Sequence, residues 1–180
     1  MLSHPEGGYY CETYRSPHNV TIQVSIPPGT ETNESTTAST QTKTITRSAS
    51  TGILFLLTAD SPISHLHKIA FDEMWHFYGG DPLTVVVLGT DGQGGTKQIV
   101  LGESVHHEKQ AVVEGGRWFG SFTNGGVNGY SLVGCTVAPG FEFEDFVIGV
   151  REELENLFPS EARLVERLAI HKNSIHVGTV

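Results

Sequence analysis

Cysteine is scarce: Cys11 and Cys135 are the only two. Two thiols cannot frame a disulfide-stapled fold, and neither belongs to a Cys-x-x-Cys pair of the metal-binding kind, so both are read as reduced. Basic residues are few as well. The 11 Lys and Arg stand against 20 Asp and Glu, a net charge of -9. That balance argues against binding along a nucleic-acid polymer, while leaving room for a local basic pocket around one small anion. Long apolar runs are missing too. No window approaches the roughly 18 residues of a spanning helix, and the N-terminus shows no basic region followed by an apolar core. A soluble, cytoplasmic protein with no membrane partner is the expectation.

What is present reads as one domain over residues 1–180, long enough to bury a sizeable core. After the turn-like His4-Pro5-Glu6-Gly7-Gly8, residues Tyr9 to Arg15 suit a strand. Val20, Ile22, Val24 and Ile26 alternate with polar residues, the pattern of a half-buried strand. Residues 27–50 are half Ser and Thr and read as a surface insertion, closing in a short strand around Lys43 to Arg47. Ile53 to Leu57 is an apolar run of the kind buried on both faces. Further short strands fall at Leu83–Leu88, Thr96–Leu101, Gln110–Val113, Trp118–Phe122 and Tyr130–Val137, separated by glycine-rich turns. Such spacing predicts an antiparallel sandwich or barrel, because the gaps are too short for helical crossovers. Only residues 151–170 carry helical periodicity. There Leu154, Leu157 and Phe158 precede a break at Pro159, and Leu164, Val165, Leu168 and Ala169 form a second stripe, predicting two helices outside the barrel.

The most site-like stretch runs from His65 to Gly80, with three of the nine histidines, Glu73, Trp75 and Phe77. On regular strands His65 and His67 share one face, and Glu73, Trp75 and Phe77 share another. Turned inward, these faces would line a pocket. The residues support three readings: hydrogen-bonded core histidines, a three-ligand metal site, or a general base with its orienting carboxylate. Arg15, Lys68 and Arg117 are the nearest cations for an anionic ligand. The turn at Glu6 is either purely structural or places its carboxylate at a pocket rim. Gly89 to Gly95 lacks the Lys-Ser/Thr ending of a phosphate loop and reads as a hairpin turn.

His65-x-His67, Glu73 and Gly80 resemble the first motif of the cupin superfamily of small jelly-roll barrels. The words His4-Pro5-Glu6-Gly7-Gly8, Glu12–Arg15, Ile53–Leu57, Ser64–His67, Asp72–Tyr78 and Tyr130–Phe143 resemble its fifth family, domain-of-unknown-function family 985. The resemblance implies an all-β, cupin-type antiparallel jelly-roll barrel of the RmlC-like kind, here with short C-terminal helices. In the segment Val113–Phe119, which corresponds to the second cupin motif, Phe119 stands where a metal-binding member has its fourth ligand. A broader tie to the sugar-nucleotide 3,5-epimerases, which share the barrel and need no metal, gives a chemical direction.

The expectation is therefore a metal-free pocket for a small molecule, a nucleotide or sugar nucleotide. Trp75, Phe77 and Phe119 supply its wall, and Arg117, Lys68 and Arg15 supply cations. Epimerase- or isomerase-like chemistry would use His65 or His67 as base, Glu73 to orient it and Tyr130 as acid. No cofactor is expected. The alternatives are a divalent metal on His65, His67 and Glu73, serving an oxygenase, lyase or isomerase, and a non-catalytic scaffold or storage-like protein. A homodimer is expected, because the outer side of Ile53–Leu57 needs cover.

Overall fold

The computed structural model describes residues 1–26, 41–89 and 95–172. The strands are β1 (Leu2–Ser3), β2 (Tyr9–Arg15), β3 (Asn19–Ile26), β4 (Gln41–Ser48), β5 (Thr51–Thr58), β6 (Ile63–Lys68), β7 (Glu73–Gly80), β8 (Leu83–Val87), β9 (Lys97–Leu101), β10 (Gln110–Val113), β11 (Phe119–Thr123), β12 (Tyr130–Val137) and β13 (Val147–Ile148). Two short helices follow, α1 (Arg151–Leu157) and α2 (Ala162–Leu168). Alternation of apolar and polar residues, with a turn every ten residues or so, leaves the chain one economical solution: two antiparallel sheets burying their inner faces against each other. One sheet has the order β1-β2-β5-β12-β7-β10 and the other β13-β6-β11-β8-β9, the antiparallel sandwich that the strand spacing predicts and the jelly roll that the resemblance implies. The insertion closes in β4, paired with β3 over eight residues as a separate ribbon; its residues 27–40, like the turn at 90–94, lie outside the described residues.

Two apolar clusters hold the layers. Phe55, Leu57, Trp75, Phe77, Val85, Phe119 and Val133 fill the space between the sheets. On the outer face of the five-stranded sheet, Leu66, Val86, Leu88 and Phe122 meet Leu154, Phe158, Val165 and Leu168 of the helical segment. Helix cover is thus confined to one sheet. In β5 the inward Phe55 and Leu57 are buried, but Leu54 and Leu56, on the outer side, are only partly covered. A run of apolar residues announces that both faces are apolar; it does not say what covers each of them.

The other departure lies in β6. Phe119 of β11 opposes His67 and Ser121 opposes Ser64, so three steps on β6 match two on β11. The extra residue is a β-bulge, which interrupts the alternation of side chains. Ser64 and His67 consequently turn into the barrel, whereas His65 and Leu66 turn outward toward the helices. The His65 ring meets the carbonyl of Leu168 through Nδ1 at 3.0 Å, satisfying one of the orphan acceptors at the end of α2. The expectation that His65 and His67 share a face fails at this bulge.

Leu168 is fully buried between α2 and the sheet, so Leu168→Ala should cost about 2–5 kcal/mol through lost burial and the cavity it leaves. Urea unfolding followed by tryptophan fluorescence measures this; a loss below about 1 kcal/mol would mean that the helices are not part of the cooperative core.

Candidate functional site

A cavity of about 450 Å³ opens between the sheets, walled by Tyr10, Ile53, Phe55, Phe141, Phe143 and Phe146 and floored by His4, Glu6, His67 and Glu73. Four pieces of chain position that floor. The turn His4–Gly8 is pressed onto β6: the His65 amide donates to the Glu6 carbonyl at 2.6 Å. Gly7, at φ +98°, comes so close that a Cβ there would lie 2.3 Å from the Ile63 carbonyl oxygen. Only glycine allows that approach. Glu6 is thereby carried inside, to 6% exposure. β6 contributes His67, with Ser64 bonded to Glu6 behind the lining, β7 contributes Glu73, and β12 contributes Cys135 and Val137.

Glu6 is the hub. Its Oε1 accepts from the Ser64 hydroxyl at 2.8 Å, while Oε2 lies 3.2 Å from His67 Nε2 and 3.3 Å from His4 Nδ1. His67 Nδ1 donates to the His65 carbonyl at 2.8 Å, which fixes the ring and leaves Nε2 facing the carboxylate. That approach is attractive only with a proton between the two atoms, so the pair titrates as a unit. Burial pushes the Glu6 carboxyl up, but the charges of His67 and His4, with hydrogen bonds from His4 and Ser64, outweigh it and hold the group below its ordinary range. Burial acts on His67 in the opposite sense, drawing its imidazolium down against the pull of Glu6 and the His65 carbonyl. The two tendencies conflict, since Glu6 stays low only while His67 keeps its charge. The contact geometry favours the charged pair.

Glu73 behaves differently. Its Oε2 accepts from the Trp75 indole N–H at 2.9 Å, and among the described residues it forms no ion pair. Burial and the nearby Glu6 charge push its carboxyl from an ordinary 4.5 up to about 8, the Trp75 and Cys135 hydrogen bonds opposing only in part. Burial and the charge of Glu73 likewise push the Cys135 thiol well up. One cavity therefore holds an ionised carboxylate and a protonated one.

Of the site candidates singled out from sequence, Glu6, His67, Glu73 and Arg15 line the cavity, and the others do not. Trp75 and Phe119 are buried beneath it: Trp75 holds Glu73, and the Phe119 ring sits 4.1 Å from that of His67. Phe77 is in the core on the same inward face of β7. Lys68 places its ammonium over the Trp118 ring at 4.9 Å, outside the barrel. Arg117 donates to the Leu88 carbonyl at 3.0 Å and lies 3.7 Å from Glu114. Tyr130 begins β12, five residues before Cys135 at the cavity, and is 40% exposed; at about 3.3 Å per strand residue it cannot reach the floor. Arg15 is bound by Glu12 at 2.8 Å and Glu142 at 2.6 Å. What sequence reasoning undervalued is His4, Glu6, Tyr10 and the phenylalanines of 141–146. The signal for Glu6 was there: an acidic side chain beside two glycines is where a turn can approach a strand closely.

Residues 1–149 match the family model described as Cupin_5, cupin superfamily (DUF985). The chain belongs to this family. It is 33% identical to an uncharacterised protein of Saccharomyces cerevisiae over 165 residues, covering 89% of this chain and 77% of the yeast protein. Among solved structures, a hypothetical protein from Leishmania major shares 35% identity and a TM-score of 0.75, covering 94% of this chain and 93% of that one. Protein SO0799 from Shewanella oneidensis shares 31% identity and a TM-score of 0.72, covering 95% and 92%.

His65, His67 and Glu73 do not fit a metal as a set, since His65 is turned onto α2 while the other two face the cavity. Among the described residues no group of three or more His, Cys, Asp or Glu side chains is arranged to hold an ion. His67 instead spends both ring nitrogens, on the His65 carbonyl and on Glu6.

The raised Glu73 carboxyl makes stability fall with pH. The folded state holds a proton that the unfolded state releases above 4.5, so this contribution is fully present below 4.5 and is lost toward about 8. Between about pH 5.5 and 7 Glu73 should contribute a slope approaching about 1.4 kcal/mol per pH unit, in addition to what the histidines add in the same window. Denaturant titrations across that window check it, and Glu73→Gln should flatten the slope.

Proposed function

We propose that the cavity binds a small ring compound carrying a carbonyl group and moves a proton on it, an isomerase- or epimerase-like reaction. The observation that carries this reading is the pair of carboxyls in one cavity pushed in opposite directions, Glu6 down and Glu73 up. Environments that separate two acids in this way assign a base and an acid. The Glu6 carboxylate, held in place by Ser64 and His67, accepts the proton from the carbon next to the carbonyl. Glu73, protonated at neutral pH, donates to the carbonyl oxygen as the enol forms. Return of that proton from Glu6 to the former carbonyl carbon, with the proton of the neighbouring hydroxyl passing to Glu73, forms the isomer with no net transfer of protons. Desolvation by the aromatic walls strengthens both hydrogen bonds.

The ligand class follows from the lining. Tyr10, Phe55 and Phe143 offer ring faces, and about 450 Å³ is within the range of small-ligand sites. Among the described residues Arg15 is the one lysine or arginine on the wall, and it is already shared by Glu12 and Glu142. An uncharged ring ketone or sugar is thus better supported than the diphosphate of a sugar nucleotide, since Lys68 and Arg117 lie away from the cavity. Glu73, expected to orient the base, takes instead the part of the acid that was expected of Tyr130, which is too distant to play it.

Thermal-shift screening of ketones, free sugars, nucleotides and sugar nucleotides should give stabilisation by ligands of the first two classes. Those ligands should then exchange hydrogen for solvent deuterium at the carbon beside the carbonyl. Glu6→Gln and Glu73→Gln are expected to lower exchange by at least about 100-fold while retaining binding. Binding without exchange reduces the site to a receptor, and stabilisation by no compound overturns the proposal.

A further inference from the structure

Three side chains touch the carboxylate of Glu6, and they differ in what lies behind them. Ser64 donates to Oε1 and is fully buried. His67 meets Oε2 through Nε2 and spends Nδ1 on the His65 carbonyl. A backbone carbonyl accepts a hydrogen bond but does not take up a proton, so both residues are closed ends for a proton on Glu6. His4 is the third. Its Nδ1 lies 3.3 Å from Glu6 Oε2, while its Nε2 has no partner among the described residues and is not sealed from solvent. The side chain is only 7% exposed and lines the cavity, so that nitrogen reaches water through the cavity.

The ring is held for this position. Tyr10 meets it edge-on at 4.9 Å, Phe143 stacks on it at 5.8 Å, and Phe55 and Phe146 stand edge-on at 6.1 Å and 5.7 Å. Its backbone is fixed on both sides: the His4 amide donates to the Gly8 carbonyl at 3.1 Å, and the His4 carbonyl accepts from the Gly7 amide at 3.0 Å. Nδ1 has a partner in either protonation state. Protonated, it can donate to Oε2; bare, it can accept from the Glu6 amide at 3.4 Å. A ring satisfied both ways can take a proton on one nitrogen and release another from the second with little rearrangement.

We propose that His4 is a proton relay between the buried Glu6 and water at the cavity mouth. Its use in turnover rests on the reaction proposed above; the relay itself operates in the ligand-free protein. A proton on Glu6 Oε2 moves to Nδ1, and the proton already on Nε2 leaves to water. In the reverse pass Nε2 takes a proton from water and Nδ1 returns its own to Oε2. The two passes replace the proton on Glu6 by one from solvent, with no net change in charge or bonding. With a ring compound covering Glu6, this path sets how much of the abstracted hydrogen returns to carbon and how much is exchanged with water. His4 acts through Glu6, so its loss changes the fate of the proton.

The proton between His67 Nε2 and Glu6 reports on the relay with water as the only probe. In protein carrying isotope-labelled histidine, its exchange with water is read by saturation transfer in NMR. The rate should fall at least about ten-fold in His4→Gln, and equally in His4→Phe, which suits the ring cage should the glutamine disturb the turn. The His67 Nδ1 proton, held against the His65 carbonyl, should keep its rate. A purely structural role for His4 predicts the opposite, since a loosened turn admits water and speeds exchange of both protons. Faster exchange, or an unchanged rate in both variants, overturns the relay. Failure of the proposed reaction looks different: no compound exchanges hydrogen at carbon, while the His67 proton is still slowed by the two variants, which supports the relay and strikes the reaction alone.

Discussion

The burial of one carboxylate, Glu6, organises this molecule. It can be inside only because Ser64 and His67 meet its two oxygens, and those residues can reach it only because the β6 bulge releases them from strict alternation. Removing an ion from water costs several kcal/mol unless partners replace the lost solvation. The turn from His4 to Gly8, the bulge and the fixed His67 tautomer are therefore parts of one arrangement. Each would be strained or unsatisfied without the others.

That arrangement imposes its consequence on Glu73. With the positive charge of the site committed to Glu6, the second carboxyl, on the neighbouring sheet, feels burial and a like charge together. The asymmetry between the two acids comes from the order in which partners are available, because both are glutamates in the same hydrophobic surroundings. Trp75 keeps Glu73 in place through a single N–H, enough to orient it and too little to offset desolvation. The aromatic walls contribute by keeping water from levelling the difference.

Much of this was legible in the sequence. Strand spacing predicted the barrel, helical periodicity predicted the outer helices, and the period-two pattern of β7 placed Glu73, Trp75 and Phe77 on one inward face. The site was legible by half. His65 was misread because a bulge carries no signature when it inserts an ordinary residue between two histidines. Trp75 and Phe119 read as pocket wall because a sequence shows which way a side chain points but not how deep it lies. Glu6 was legible as a pocket-rim alternative at its glycine-rich turn, whereas His4 and Phe141 to Phe146 were hidden because they reach the site through tertiary contacts over 50 or more positions. Charge was misleading for a similar reason: Arg15 looked available until its neighbours Glu12 and Glu142 were placed in space.

The cavity draws its floor from residues 4 and 6 at one end of the chain, its middle from 67 and 73, and its last wall from Phe146. Such closure of distant segments is the slow kind, since loop entropy is lost before any contact compensates it. During synthesis the barrel strands can pair while the floor is still open to water. Phe146 stacks on the His67 ring at 5.3 Å, so the enclosure that lets two acids differ in one cavity is complete only when the segment beyond β12 has met β6.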